Sequence, residues 1–115
     1  MLDIRVKRVY EPASPGDGTR VLVDRLWPRG VKKEKAAIDL WAKDLAPSTE
    51  LRKWFGHDPA RWSGFKRRYA AELRERADEL ADLRTLARRG PVTLIYAARD
   101  QEHNEAVILR DMLTG

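Results

Sequence analysis

The segment Val92–Ala97 (VTLIYA) is the most apolar run of the chain, and it constrains the fold more than any other feature. Gly90-Pro91 ends the helical pattern that precedes it. A run without alternation is typical of a strand buried on both faces, as in a parallel sheet. Arg20–Leu26 contains a second such run, and the alternation over residues 2–10 suits a strand with one buried face. The sequence therefore predicts a sheet with Val92–Ala97 as a central strand.

Helical patterns separate these strands. Between Trp62 and Ala87, apolar residues recur every three or four positions, which predicts one amphipathic helix or two in tandem, starting after Asp58-Pro59. Two further helices are predicted behind N-cap residues: Glu50–Phe55 after Pro47-Ser48-Thr49, and Gln101–Leu113 after Asp100. Strands separated by helices indicate a single α/β domain over residues 1–115, with a small, largely parallel sheet flanked by helices.

Three segments between these elements are less regular. Glu11–Thr19 is dense in proline, glycine and serine and is predicted to be a loop. Val31–Lys35 is interpreted as a basic connector. Ile38–Leu45 alternates like a strand, but its apolar residues also fit one face of a helix. The strand is favoured there, and the helix stays open as the alternative.

The composition excludes several classes of protein. Among the 115 residues there is no cysteine, which excludes a disulfide scaffold, a thiolate metal site and a cysteine nucleophile. Two histidines, His57 and His103, are too few for a multi-histidine site, so we expect no metal and no cofactor. Charges near the start and the lack of an apolar run of about 20 residues predict a cytoplasmic protein without a membrane partner.

The net charge of +5 is spread along the chain rather than concentrated. Over residues 47–90, charges of both signs mix at helical spacing, as in Arg68 and Glu72, which is typical of a solvated helix face. No known reading motif accompanies them, so nucleic acid is only a weakly supported partner. The side chains available for phosphate contacts are Lys32, Lys33, Lys35, Arg52, Lys53, Lys66, Arg67 and Arg68.

Two segments follow predicted strands, at the position where open parallel sheets bind their ligands. The first places Asp24, Arg25, Trp27 and Arg29 after a buried strand. Two guanidinium groups there could bind a phosphate or carboxylate, and the indole could hold a flat ligand. The alternative is structural: the aspartate pairs with a neighbour and the tryptophan fills the core.

The second segment runs from the last strand into the final helix. Arg99 adds positive charge, while Tyr96, His103 and Asn104 offer hydrogen bonds or a titrating group. Acidic residues already occupy this helix start, so Asp100 as a plain N-cap without a ligand is the alternative.

The chain resembles the YeaO-like branch of domain-of-unknown-function family 488 in four blocks that fall in the same order. These blocks are KRVYEP at 7–12, VLVDRLWPRG at 21–30, DLWAKDLAPSTELRKWF at 39–55, and VTLIYAARD with HNEAVIL within 92–109. The resemblance implies a small bacterial α/β protein with a three-layer arrangement and no established activity. It also favours the strand at Ile38–Leu45 and one pocket shared by the two strand exits.

Related branches of that family carry Asp-x-Arg-x-x-Pro at a strand end and a Cys…Cys-His-Arg segment after the last strand. By resemblance, the first corresponds to Asp24–Arg29, with the arginine displaced by one residue. Tyr96 stands where the first cysteine would be, and His103-Asn104-Glu105 fall near the second block. Because the thiols are absent, no cysteine-based or phosphatase-like mechanism is expected here.

Three functions fit these patterns. The favoured one is a pocket for a small anionic or nucleotide-like ligand at the carboxyl ends of the strands. If it catalysed a reaction, Asp24 or His103 would be the general base. The alternatives are a protein-interaction or oligomeric module without a ligand, and non-specific nucleic-acid binding through basic helix faces. Enzymatic activity and oligomeric state are left open by these patterns.

Overall fold

A parallel four-stranded sheet organises the protein, whose computed structural model describes residues 2–115. Its order is β1-β4-β2-β3, and every strand pair is parallel. The strands are β1 (Ile4–Arg8), β2 (Thr19–Leu22), β3 (Leu40–Trp41) and β4 (Val92–Tyr96). The predicted α/β class with a parallel sheet is confirmed.

Five α-helices connect or flank the strands. They are α1 (Lys33–Ala36), α2 (Thr49–Phe55), α3 (Trp62–Arg74), α4 (Ala77–Arg89) and α5 (Glu105–Thr114). Short 3-10 turns lie at Pro15–Asp17, Lys43–Leu45 and Pro59–Arg61. Within residues 2–115, no helix is both long and apolar enough to cross a membrane.

Strand β4 lies between β1 and β2 in the sheet, and all five of its residues are buried. It pairs with β1 on one side, where Val6 faces Leu94, and with β2 on the other, where Val21 faces Leu94. The most apolar run of the sequence therefore lies where a strand has neighbours on both edges and packing on both faces. The prediction of a central strand is confirmed, although the strand ends at Tyr96 rather than Ala97.

The two faces of the sheet are covered differently. Val21 and Leu94 face the larger core, which α2, α3, α4 and α5 complete. Leu22 and Ile95 alternate to the opposite face, where a smaller cluster includes Ala36 of α1 and the half-buried Trp27 and Trp41. That face carries a one-turn helix and loops, so the predicted three-layer arrangement is not confirmed.

Several predicted boundaries are corrected. Strand β2 covers Thr19–Leu22 instead of Arg20–Leu26. Of Ile38–Leu45, only Leu40 and Trp41 pair with β2, and a 3-10 turn follows them. The basic connector contains the short helix α1. Of the two alternatives for the long amphipathic pattern, two helices in tandem is confirmed: α3 and α4 are separate because the chain turns at Glu75 and Arg76.

The N-terminus of α2 is fixed by a residue of α3. The Ser48 side chain caps the helix by accepting the Leu51 N–H, and Ser48 lies in the segment Pro47-Ser48-Thr49 predicted to supply the cap. Glu72 of α3 then accepts hydrogen bonds from both the backbone N–H and the hydroxyl of Ser48, at 2.8 and 2.7 Å. In the described chain Arg68 lies over the Trp54 ring instead of pairing with Glu72. Glu72 thus joins α3 to α2, whereas Arg68 is exposed, as expected of a solvated helix face.

A buried ion cluster lies at the amino ends of the strands. Asp17 accepts hydrogen bonds from Lys7 Nζ at 2.9 Å and from Arg20 Nη1 at 2.6 Å. Arg20 is 3% exposed, and its Nε and Nη2 donate to the Ala36 carbonyl. Thr93 of β4 donates to the Asp17 carbonyl at 2.7 Å. The cluster therefore joins β1, β2, β4 and α1.

Candidate functional site

A cavity of about 630 Å³ opens at the carboxyl ends of β2 and β4. One wall is the segment Asp24–Pro28 after β2, and another is formed by most of residues 97–105 after β4. Side chains of α2 and α3, including Arg52, Phe55 and Phe65, close the third side. The volume lies within the usual range of small-molecule sites, roughly 300–1,000 Å³.

Six of the eight residues proposed from the sequence line this cavity: Asp24, Arg25, Trp27, Arg99, His103 and Asn104. Two do not. Arg29 is exposed outside the cavity, and its backbone carbonyl accepts a hydrogen bond from the Tyr10 hydroxyl. Tyr96 is buried in the larger core, because it is the last residue of the central strand. The pocket therefore lies at the expected edge of the sheet, but Arg29 and Tyr96 do not belong to its lining.

Asp24 connects the segment that follows β2 to the segment that follows β4. Its Oδ2 accepts the Ala97 backbone N–H at 3.0 Å, and its own carbonyl accepts the Trp41 indole N–H at 2.7 Å. These bonds fix the carboxyl group between the end of β2 and the end of β4. The sequence placed this residue correctly but did not reveal its partner.

That partner is Glu105, in the first turn of α5. Both residues line the cavity. Burial, together with the neighbouring Asp24 carboxyl and its charge, raises the pKa of Glu105 well above its usual value.

The guanidinium groups of the cavity differ in how they are engaged. Arg25 donates from Nε to the Pro47 carbonyl and from Nη2 to the Ala46 carbonyl, at 3.0 and 3.1 Å. Arg52 and Arg99 are exposed, and neither side chain makes a hydrogen bond or ion pair within residues 2–115. Arg25 thus holds the loop before α2, whereas Arg52 and Arg99 are free to contact a ligand.

Asp100 and His103 form a hydrogen-bonded pair at the cavity. Asp100 Oδ1 accepts the backbone N–H groups of Glu102 and His103, each at 2.9 Å, and these bonds lower the pKa of Asp100. Its Oδ2 lies 2.9 Å from His103 Nδ1. The His103 ring also packs edge-on against Trp62, with ring centroids 5.0 Å apart. The imidazole is therefore oriented from two sides.

Asn104, not Asp100, is the N-cap of α5. Its Oδ1 accepts the Val107 N–H at 3.1 Å, and its Nδ2 donates to the Asp100 carbonyl at 2.9 Å. The predicted helix from Gln101 is wrong at its start, because residues 101–104 form a bent loop ordered by Asp100. Both polar atoms of the Asn104 amide are hydrogen-bonded within the protein, so Asn104 has a structural role at the cavity wall.

Replacing this cap tests that role. Asn104 is 1% exposed, so Asn104→Ala should lower the free energy of unfolding by about 1–2 kcal/mol. Asn104→Ser keeps an accepting oxygen at the N-cap without adding a charge and should lose less, as measured by urea denaturation. Equal losses in the two variants would show that the cap bond to Val107 is not what Asn104 contributes.

Aromatic side chains form a rigid part of the cavity wall. Phe55 and Phe65 stack with centroids 4.2 Å apart. Trp27 is fixed by an edge contact with Trp41 and by donating its indole N–H to the Val31 carbonyl at 2.7 Å. Trp54 does not line the cavity and packs against the guanidinium groups of Arg61 and Arg68. Among residues 2–115, no group of three or more histidine or acidic side chains could hold a metal ion.

The chain is similar to known proteins over nearly its whole length. A family model described as the inactive DUF488-N3 subclade matches residues 3–115. The chain belongs to this subclade. It is 46% identical over 112 residues to the uncharacterised protein YeaO of Escherichia coli K12, covering 97% of both chains.

Mycobacterial relatives of the subclade show the same extent of similarity. The uncharacterised protein Rv3073c of Mycobacterium tuberculosis H37Rv is 46% identical over 112 residues, which are 97% of this chain and 94% of the relative. The uncharacterised protein Mb3100c of Mycobacterium bovis matches with the same values. No solved structure matches the chain. The resemblance to family 488 is confirmed.

Proposed function

We propose that the protein binds a small anionic, nucleotide-like ligand in the cavity at the carboxyl ends of β2 and β4. The observation that carries this proposal is the pair of uncommitted guanidinium groups, Arg52 and Arg99, on the wall of one concave site. A guanidinium offers a planar set of donors that matches phosphate and carboxylate oxygens. Rigid aromatic side chains beside them supply apolar surface for the rest of the ligand.

A binding role is favoured over catalysis. The subclade is described as inactive. The sequence has no thiol, so the titrating groups at the cavity are carboxyl groups and the imidazoles. Asp24 is engaged by Ala97 and Glu105, and His103 is oriented by Asp100 and Trp62. These contacts suit a preformed site, which binds without a large ordering cost.

Removing either free guanidinium should weaken ligand binding without unfolding the protein. We expect Arg52→Ala and Arg99→Ala each to reduce the affinity for adenosine monophosphate about tenfold, since a charge-assisted hydrogen bond contributes about 1.5–3 kcal/mol. Isothermal titration calorimetry measures this directly, and thermal shift with inorganic phosphate and sulfate extends it to simpler anions.

Arg88→Ala provides the control. Arg88 is also an exposed arginine, but it lies in the last turn of α4, which leads into the amino end of β4 at the opposite edge of the sheet. Its loss should leave binding unchanged. If no anion binds to the wild type, or if all three variants weaken binding equally, the cavity is not the site and the proposal is wrong.

A further inference from the structure

Basic side chains lead out of the cavity around the exposed side of α2. Arg52, Lys53 and Trp54 are consecutive, and successive residues of a helix are turned by about 100° around its axis. Leu51 and Phe55 are the buried residues of this helix, so Lys53 lies on the side away from the core. Lys53 therefore stands between Arg52, which lines the cavity, and Trp54, which packs towards α3.

The Trp54 indole holds two guanidinium groups at the α3 end of this surface. The guanidinium carbon of Arg68 lies 4.2 Å from the ring centroid, and that of Arg61 lies 5.4 Å from it. Arg61 also donates to the Trp54 carbonyl and has Asp58 nearby, at 3.9 Å. Lys53 and Arg68, in contrast, make no hydrogen bond or ion pair within residues 2–115. The indole thus positions Arg68 while its N–H donors stay available to a ligand.

Arg52, Lys53 and Arg68 form a basic stripe across α2 and α3. Residues 49–74, which contain both helices, carry seven basic and three acidic side chains, and one of the acidic ones, Glu72, is bound to Ser48. A surface with this excess attracts a polyanion. A single-stranded nucleic acid carries phosphates at regular intervals on a flexible backbone, which suits a stripe that begins at an anion-binding cavity.

We propose that the protein binds the phosphorylated end of a single-stranded nucleic acid, with the terminal nucleotide in the cavity and the following phosphates on Lys53 and Arg68. This inference rests on the proposed function, because Arg52 and Arg99 hold the terminal nucleotide. The cavity of about 630 Å³ has the size of a site for one small ligand, so the rest of the strand lies outside it. Arg52 marks the side on which the strand leaves the cavity and crosses α2.

Chain length is the first test of this strand site. In calorimetric titration, 5′-phosphorylated tetra-adenylate should bind the wild-type protein at least about tenfold more tightly than adenosine monophosphate, because two more phosphates gain charge-assisted contacts. A tetra-aspartate peptide carries negative charges without nucleotides and should bind no more tightly than adenosine monophosphate. Tighter binding of the peptide than of the tetranucleotide would show that the stripe takes an acidic peptide and would overturn the proposal.

A double variant tests the stripe directly. Lys53→Ala with Arg68→Ala should reduce the affinity for the tetranucleotide to that of adenosine monophosphate. The dependence of its logarithmic affinity on the logarithm of salt concentration should become shallower by about 1.4, or about 0.7 for each lost phosphate contact. Neither side chain lines the cavity, so binding of adenosine monophosphate should persist and report that the variant is folded. Arg88→Ala with Arg89→Ala removes the same charge from the last turn of α4 and should change neither affinity.

Failure of the strand site and failure of the proposed function give different results. If neither adenosine monophosphate nor the tetranucleotide binds, the proposed function is wrong, and the strand site with it. If both bind equally, or if the Lys53 and Arg68 variant keeps the tighter binding, the cavity takes its ligand alone and the strand site is wrong. If Arg52→Ala leaves tetranucleotide binding unchanged, the strand contacts the helices without entering the cavity, which also overturns the proposal.

Discussion

Gly18→Ala should destabilise the protein more than any other single methyl addition we can identify. Gly18 immediately precedes β2 and has φ +65° and ψ −136°, a conformation that residues with a Cβ avoid. A Cβ placed there would lie 2.1 Å from the Pro91 carbonyl oxygen and 2.8 Å from its carbon. That same carbonyl accepts the Thr19 N–H at 3.0 Å, so it cannot move away without breaking the start of the β2–β4 pairing.

The expected loss is about 3 kcal/mol or more, because backbone strain and overpacking each contribute about 1–3 kcal/mol. Thermal melting followed by circular dichroism measures it, and the yield of folded protein reports the extreme case. A melting temperature near that of the wild type would show that β2 and β4 do not approach each other this closely at Gly18.

Substitutions at two other glycines separate the effect of backbone strain from the effect of the close contact with Pro91. Gly30 also has a positive φ, of +72°, but no atom lies within 4 Å of its added Cβ, so Gly30→Ala should cost only about 1 kcal/mol of conformational strain. Gly90 has extended backbone and open space around it, so Gly90→Ala should be neutral or slightly stabilising. Equal losses at Gly18 and Gly30 would show that the contact with Pro91 has no effect.

The order of the main elements was readable from the sequence because each carries a local signal. The apolar run Val92–Ala97 predicted the central strand, and the cap residues of Pro47-Ser48-Thr49 predicted α2. Ile38–Leu45 could not be resolved in the same way. Its pairing with β2 lasts for only two residues, and a pairing that short depends on the neighbour rather than on its own pattern.

The site was predictable only where it followed from topology. Parallel strands end at one edge, so residues after β2 and β4 had to meet, and Asp24 with Ala97 does so. Glu105 and Arg52 were missed as site residues. Arg52 reaches the cavity from α2, whose packing no local pattern encodes. The sequence pattern predicts Asp100 as the N-cap, which places Glu105 inside the helix as one of several acidic residues near its start. In the structure α5 starts at Glu105, and this start brings the residue to the cavity.

Asp17→Asn should produce the second large loss of stability, about 3–5 kcal/mol. The Asp17 side chain is 8% exposed and balances both Lys7 and Arg20. An amide cannot neutralise them, and the Arg20 guanidinium would stay buried without its counter-charge. Urea denaturation at neutral pH measures the effect. Asp3→Asn is the control, because its pairing with Arg5 is half exposed and its loss should be barely detectable.

The pH dependence of stability tests whether the charge of Asp17, rather than its shape, stabilises the protein. Burial alone would raise the pKa of Asp17, but hydrogen bonds from Lys7, the Ser14 backbone and Arg20 outweigh it and lower the pKa to about 2. A folded-state pKa below the unfolded value stabilises the protein above the unfolded pKa, and this contribution is lost as the pH falls through the folded pKa. The advantage of the wild type over Asp17→Asn should therefore be complete at neutral pH and shrink by about 2 kcal/mol between about pH 4 and pH 2. A difference that stays constant over that window would mean that the cluster is held by geometry and not by the ionised carboxylate.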